Sequence, residues 1–150
     1  MEITYFEDIP LNEKETVGQY TVTKKEMVDF ATKWDPLPMH IDEHAAESNK
    51  HGGLIAPACY TVSIAMSLLA QLRLRPASLG GAGWEVQFPV PVRPGDRLSI
   101  TSECIKKRES RSKSDRGVAH FTCTTHNQNG DVVLQLKSVI LVEKRDDGAK

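Results

Sequence analysis

The chain has 150 residues, with 19 Lys+Arg against 20 Asp+Glu, 39% hydrophobic and 26% charged. This is the composition of one folded globular domain and excludes a disordered, collagenous or low-complexity chain. A net charge of −1 supplies no chain-wide attraction for nucleic acid or an anionic membrane, because such affinity comes from basic surface that displaces counterions. Three cysteines, Cys59, Cys104 and Cys123, form no CxxC pair and leave one thiol over under any pairing. That favours a reducing compartment and offers no all-cysteine zinc site. The acidic start, Glu2 to Asp8, lacks the basic-then-apolar order of a secretory signal, so a cytoplasmic protein is expected.

Short strands are expected around Thr4–Phe6 and Val17–Val22. Thr23-Lys24-Lys25-Glu26 has the form of a capping box, in which Thr23 accepts from the Glu26 N–H and Glu26 reaches back. Met27, Phe30, Ala31 and Trp34 then fall at i, i+3, i+4 and i+7, one apolar face of a helix over 23–34. Asp35-Pro36-Leu37-Pro38 ends that helix in a stiff turn, since proline disfavours helical geometry before it and cannot donate within it. Asp42 can cap a second short helix over Glu43–Ser48, followed by a loop through Gly53.

From His51 to Leu72 there are 22 residues without Asp, Glu, Lys or Arg, long enough to raise the question of a membrane span. Pro57, Gln71 and the scattered Ser and Thr point instead to a buried central helix that starts at about Pro57. Ser63, Ser67 and Ala70 form a small-residue stripe expected to let a sheet approach, with Val62, Met66, Leu69 and Leu72 filling the space around it.

Beyond Arg75 the pattern has period two. Trp84, Val86 and Phe88 alternate, then Leu98 to Cys104, Ala119 to Cys123, and Val132 to Val142, which makes four strands. Pro94-Gly95-Asp96 marks a turn, and Asn129-Gly130 predicts a type I′ hairpin with positive φ at both residues. The expectation is one α+β domain over residues 1–150, an antiparallel meander with one long helix laid across it. A helix that covers only one side leaves edges and apolar surface to be paired, so a homodimer is expected.

Chemistry concentrates between Asp35 and Ala58. Asp35 and His40 stand five positions apart across two prolines that restrict the backbone between them. The pair could therefore be held at one cleft, where it would share a water molecule and move its protons. The plainer alternative is a helix-ending aspartate and a satisfied core histidine. Gly52-Gly53-Leu54-Ile55-Ala56-Pro57-Ala58 leads into the central helix, whose unpaired first N–H groups would stabilise an oxyanion. Pro57 has no N–H, so Ala58 or Cys59 would donate; the glycines could equally serve only to turn the chain. His40-Ile41-Asp42-Glu43-His44 matches H-x-x-E-H, but that zinc motif needs one continuous helix, which the prolines and the Asp42 cap oppose, so no metal is expected. Cys59 could be a nucleophile with a lowered pKa, though buried packing is the expected role.

Trp34-Asp35-Pro36-Leu37-Pro38-Met39-His40-Ile41-Asp42-Glu43, followed by Gly52-Gly53-Leu54-Ile55-Ala56, resembles the MaoC-like dehydratases, hot-dog-fold relatives of the (R)-specific enoyl-CoA hydratases. The resemblance continues through Pro91–Asp96, Ser110-Arg111-Ser112 and Asn129–Val133. It implies a long helix wrapped by a curled antiparallel sheet, and reversible syn addition of water to a trans-2-enoyl thioester. Asp35 and His40 match the catalytic pair of that family. Ala58 takes the position of a glycine whose N–H holds the thioester oxygen, and Gly53 is carried over as a substrate-binding position. No metal or redox cofactor is implied; the partners implied are a coenzyme A or acyl carrier protein thioester and a second copy of the chain, with no nucleic acid and no membrane. The chain departs from the hydratase signature at Trp34 and Leu37, where the family has Gly and Asn, and at Ala58.

Residues 106–116 carry six positive and two negative charges. They read as a solvated loop, or as a site where Arg108 and Arg111 hold the phosphates of coenzyme A; no aromatic residues interleave them as nucleic-acid binding would require. Two other classes of function remain beside the hydratase: a hot-dog thioesterase, which would aim the water at the carbonyl, and a non-catalytic acyl-thioester-binding module.

Overall fold

A computed structural model describes residues 3–48 and 50–145. In chain order the elements are β1 (Ile3–Thr4), a 3-10 turn (Phe6–Asp8), β2 (Lys14–Thr21), α1 (Lys24–Trp34), α2 (Pro38–Ile41), α3 (Glu43–Glu47), α4 (Ala58–Leu69), β3 (Arg75–Pro76), β4 (Ser78–Gln87), β5 (Arg97–Glu109), β6 (Arg116–His126) and β7 (Val132–Glu143). β2, β5, β6, β7 and β4 form, in that order, one antiparallel sheet, while β1 and β3 pair in parallel beside it. Alternation builds its buried face: Leu98, Ile100, Ser102 and Cys104 of β5 point inward, as do Phe121, Cys123 and Thr125 of β6 and Leu134 and Leu136 of β7. Burying each such leucine or isoleucine stabilises the fold by about 1.5–3 kcal/mol. No helix among the described residues is long and apolar enough to cross a membrane.

α4 lies against this face through Tyr60, Thr61, Ile64, Ala65 and Leu68. The expected contact stripe, Ser63, Ser67 and Ala70, faces away from the sheet and is exposed. The room for close approach comes from elsewhere, from Ala65 on the helix and Gly18 on β2. Gly18 has φ +107°, and a Cβ there would stand 2.7 Å from Leu68 Cδ2. Positive φ and a close neighbour together call for glycine, and β2 carries an irregularity in its pairing with β5 between Val17 and Tyr20.

Three further expectations are corrected. β4 does not pair with β5, and the meander is only β5-β6-β7; β4 returns to the far edge beside β7. The connection from Gln87 to Arg97 contains Pro89, Pro91 and Pro94, too long and too proline-rich for a tight hairpin. The β6–β7 turn is not type I′, since Gly130 has φ +82° but Asn129 is not in the positive-φ region. Instead the Gly130 N–H donates to the Asn127 carbonyl, and the Asn127 side-chain oxygen accepts the N–H groups of Asn129 and Asp131, a side-chain mimic of a backbone turn. The capping box is half made: Thr23 accepts from the Glu26 N–H at 3.3 Å, but the Glu26 carboxylate receives the Tyr20 hydroxyl rather than reaching back.

The N-terminal segment is pinned by one lysine. Lys107 Nζ donates to the carbonyls of Phe6, Glu7 and Ile9 at 3.1, 2.8 and 2.8 Å, and lies 5.4 Å from the Phe6 ring centre. The same ring covers Gly117, where a Cβ would fall 2.2 Å from it. Gly117→Ala must therefore displace an anchored ring, and it is expected to lower stability by about 1–3 kcal/mol, read as a reduced urea midpoint. In a Phe6→Ala background the substitution should cost almost nothing; an equal loss in both backgrounds would refute the contact.

Candidate active site

Asp35 stands where α1 ends. Its N–H donates to the Ala31 carbonyl at 2.8 Å and its own carbonyl accepts from Leu37 at 2.8 Å, so the helix closes and the chain turns within two residues. Pro36 enforces that exit and Pro38 starts α2 at its first position, where a missing N–H costs nothing. The stiff turn expected here thus contains one helical turn, which carries His40 inward to 4% exposure while Asp35 stays 32% exposed.

His40 Nδ1 lies 2.8 Å from the Ile55 carbonyl. A carbonyl can only accept, so Nδ1 carries a proton, and in its neutral form the ring presents an Nε2 lone pair. That lone pair faces the carboxylate, with Nε2 3.6 Å from Asp35 Oδ2. The gap is too long for a direct hydrogen bond, yet one water could donate to both acceptors and keep an oxygen lone pair free.

The Ile55 carbonyl is placed by main-chain bonds that no sequence motif announces. Ile55 donates to Met39 at 3.3 Å and Ala56 to Val92 at 2.8 Å. The turn after Val92 is closed by buried Asp96, whose carboxylate accepts from the Arg93 N–H at 2.8 Å and from Gln128 Nε2 at 3.0 Å. Three residues beyond Ile55 the chain enters α4. Ala58 is the first residue of that helix, Pro57 supplies no side-chain cap, and the helix opens with N–H groups that its own turns cannot satisfy. Ala58 therefore lies within about 10 Å of chain from the imidazole's partner.

The other expected site residues fall differently. Gly53, with φ +143°, packs beside Arg93, and its N–H is used by the Ala46 carbonyl at 3.0 Å. Arg108 and Arg111 lie at the end of β5 and in the loop beyond it, whereas the Asp35–His40 pair adjoins the segment that enters β5. About 40 Å of strand contour separates the two ends. The structure thus brings Asp35 and His40 together, starts α4 at Ala58 three residues beyond the imidazole's partner, and leaves the two arginines at the far end of β5. Trp34 and Leu37, on either side of Asp35 in the chain, are exposed. Cys59 is exposed rather than packed. His40 belongs to α2, while Glu43 and His44 belong to α3, and Asp42 closes the first helix and caps the second. The H-x-x-E-H run is therefore divided between two helices.

The family model of the MaoC-like domain matches residues 6–127. The chain is 28% identical to the protein YdeM of Bacillus subtilis over 138 residues, covering 86% of this chain and 96% of that one. Its structure is similar to that of the MaoC-like dehydratase from Rhodospirillum rubrum, with a TM-score of 0.89 at 33% identity over 95% of this chain and 98% of that one. The (R)-hydratase PhaJ1 from Pseudomonas aeruginosa shares the fold, with a TM-score of 0.76 at 18% identity over 94% and 86% of the two chains. The curled antiparallel sheet around α4 is the hot-dog fold, and with a family match across most of its length the chain belongs to the MaoC-like domain family.

Proposed function

We propose that the protein is a hydratase/dehydratase that adds water reversibly to a trans-2-enoyl thioester to give a 3-hydroxyacyl thioester. The observation that carries this reading is the Asp35–His40 pair, two acceptors 3.6 Å apart with the imidazole tautomer set by Ile55. A water donating to both is held with its oxygen free to attack the β-carbon. One of the pair takes a water proton as the C–O bond forms, the alkene electrons move toward the α-carbon and the thioester oxygen, and return of that proton to the α-carbon completes the addition and restores the pair. Negative charge gathers on the thioester oxygen in that transition state, and the Ala58 N–H with the α4 dipole behind it is suited to meet it. Gly53, beside Arg93, would act by shaping the approach to the site, since its N–H is already used. The reaction as written uses no redox cofactor and no metal.

The whole of β4 is exposed at the sheet edge, with Trp84 at 56% and Leu79 and Val86 also open to solvent, as is Phe88 just beyond the strand. Pairing of two β4 edges would satisfy that row of backbone groups, so a homodimer is the expected assembly, and sedimentation of the purified chain checks it. Arg108 and Arg111 then serve as contacts for the thioester carrier's phosphates only if another protomer's site lies near them. Charge reversal at both should raise KM for coenzyme A esters, and an unchanged KM would leave them as solvated surface.

The direct test is a panel of trans-2-enoyl-CoA esters, short, medium and branched, with enoyl-thioester absorbance and free thiol followed in parallel. Absorbance loss without thiol is the expected result. Thiol release would make the protein a thioesterase instead, and tight binding with no turnover would make it a binding module.

A further inference from the structure

The His40 imidazole stands at the end of a chain of hydrogen bonds that starts from a second, buried carboxylate, that of Asp96. Asp96 Oδ2 accepts the Arg93 N–H at 2.8 Å. The carbonyl of the same peptide group, that of Val92, accepts the Ala56 N–H at 2.8 Å. The carbonyl of the Ala56 peptide group is that of Ile55, and it accepts the His40 Nδ1–H, again at 2.8 Å. Both peptide groups are trans, so in each the N–H and the C=O point in opposite directions within one plane. Two backbone peptide groups thus join a carboxylate to the imidazole, with no side chain between them.

Such a chain has two effects. A planar peptide group held at both ends cannot turn, so the bond from Arg93 to Asp96 fixes the Val92–Arg93 plane and, through it, the Ile55–Ala56 plane that orients the imidazole. Hydrogen bonds in series also polarise one another, by roughly 10–30% per bond, so a carboxylate at one end makes the Ile55 carbonyl a better acceptor at the other. Asp96 is itself held firmly. Its Oδ1 accepts from Gln128 Nε2 at 3.0 Å, and Gln128 Oε1 accepts the Arg97 N–H at 2.9 Å. Its carbonyl accepts the Val22 N–H at 2.8 Å. Val22 directly precedes Thr23, the cap of α1, and the far end of α1 carries Asp35. One turn therefore anchors the segments that bear both members of the pair.

We propose that Asp96 is a positioning residue for the reaction, which orients the His40 imidazole toward Asp35 and strengthens its Nδ1–H bond through the Arg93 and Ala56 peptide groups. Its effect on turnover rests on the enoyl-thioester reading, whereas its effect on the imidazole does not.

The test compares Asp96→Asn, Gln128→Glu and the double variant, each read by the His40 Nδ1–H proton signal in nuclear magnetic resonance and by kcat and KM for a trans-2-enoyl-CoA ester. In Asp96→Asn the new amide can offer its oxygen to Arg93 only by turning its NH2 onto Gln128 Nε2, another donor. Gln128→Glu alone sets two carboxylates against each other. Together the substitutions remake every bond: the new amide accepts from Arg93 and donates to the new carboxylate, which still accepts from Arg97. Each single variant should move the proton signal upfield and lower kcat about tenfold or more with little change in KM, the effect of a displaced catalytic group. The double variant should recover most of both. Gln128→Ala, which removes one bond to Asp96 and adds neither donor nor charge, should move the signal the same way by less, and it serves if Asp96→Asn folds poorly. If the unaltered protein hydrates no enoyl thioester, that reading fails while the proton signal still decides the relay. An unmoved signal in Asp96→Asn or Gln128→Ala, or a double variant as impaired as Asp96→Asn, would overturn it.

Discussion

Asp35→Asn and His40→Ala should each lower kcat for enoyl-thioester hydration by about 10²–10⁴-fold, the usual contribution of a positioned acid or base. Asn keeps the size of Asp35 and its backbone role at the end of α1, but its side chain can no longer act as a charged acceptor for water. His40→Ala removes the Nε2 lone pair and also leaves the Ile55 carbonyl without its donor, a buried loss of about 1–3 kcal/mol. The urea midpoint should therefore hold in Asp35→Asn and fall modestly in His40→Ala. The double variant should be little slower than the worse single one, because two groups acting on one water do not contribute additively. Near-normal turnover in both single variants would remove the pair from the mechanism.

Ala58→Pro tests the oxyanion donor, and its effect should be almost as large. Ala58 is the first residue of α4, where proline is well tolerated because its φ is already helical and its missing N–H has no place in the helix ladder. The preceding residue, Pro57, sits at φ −56° and ψ 146°, the extended geometry that a following proline requires. The substitution thus deletes one N–H while the helix and its buried face stay in place. If that N–H holds the thioester oxygen, kcat should fall by about 10²–10³-fold with little change in the thermal midpoint. Retained kcat would move the donor to Cys59 or Tyr60, and Ala58→Gly, which keeps the N–H, should retain activity in either case.

Much of the site was legible because it is local. Asp35, Pro36, Pro38 and His40 lie within six consecutive positions, and two prolines leave the backbone so few options that the turn carries its own geometry. Asp42 as a helix cap was equally readable: its carboxylate accepts the N–H groups of His44 and Ala45. The partner that sets the imidazole tautomer was not readable, since it is the main-chain carbonyl of Ile55, fifteen residues away. A carbonyl is common to every residue and leaves no mark in a sequence.

The faces of α4 and the edges of the sheet show the same division. An almost uncharged segment with proline at its start determined by itself that a buried helix would form, and period-two runs determined the strands. Which stripe of α4 meets the sheet was decided by Gly18 and Leu68 across the interface. Which strand lies beside which was decided by the long, proline-rich connection from β4 to β5. The apolar cavity lined by Met66, Leu69, Trp84 and Leu136 likewise exists only once α4, β4 and β7 are assembled. Period and capping act over a few residues, so the chain states them directly. Strand order, helix facing and cavities are properties of segments far apart in sequence, fixed only when all of them compete for the same buried space.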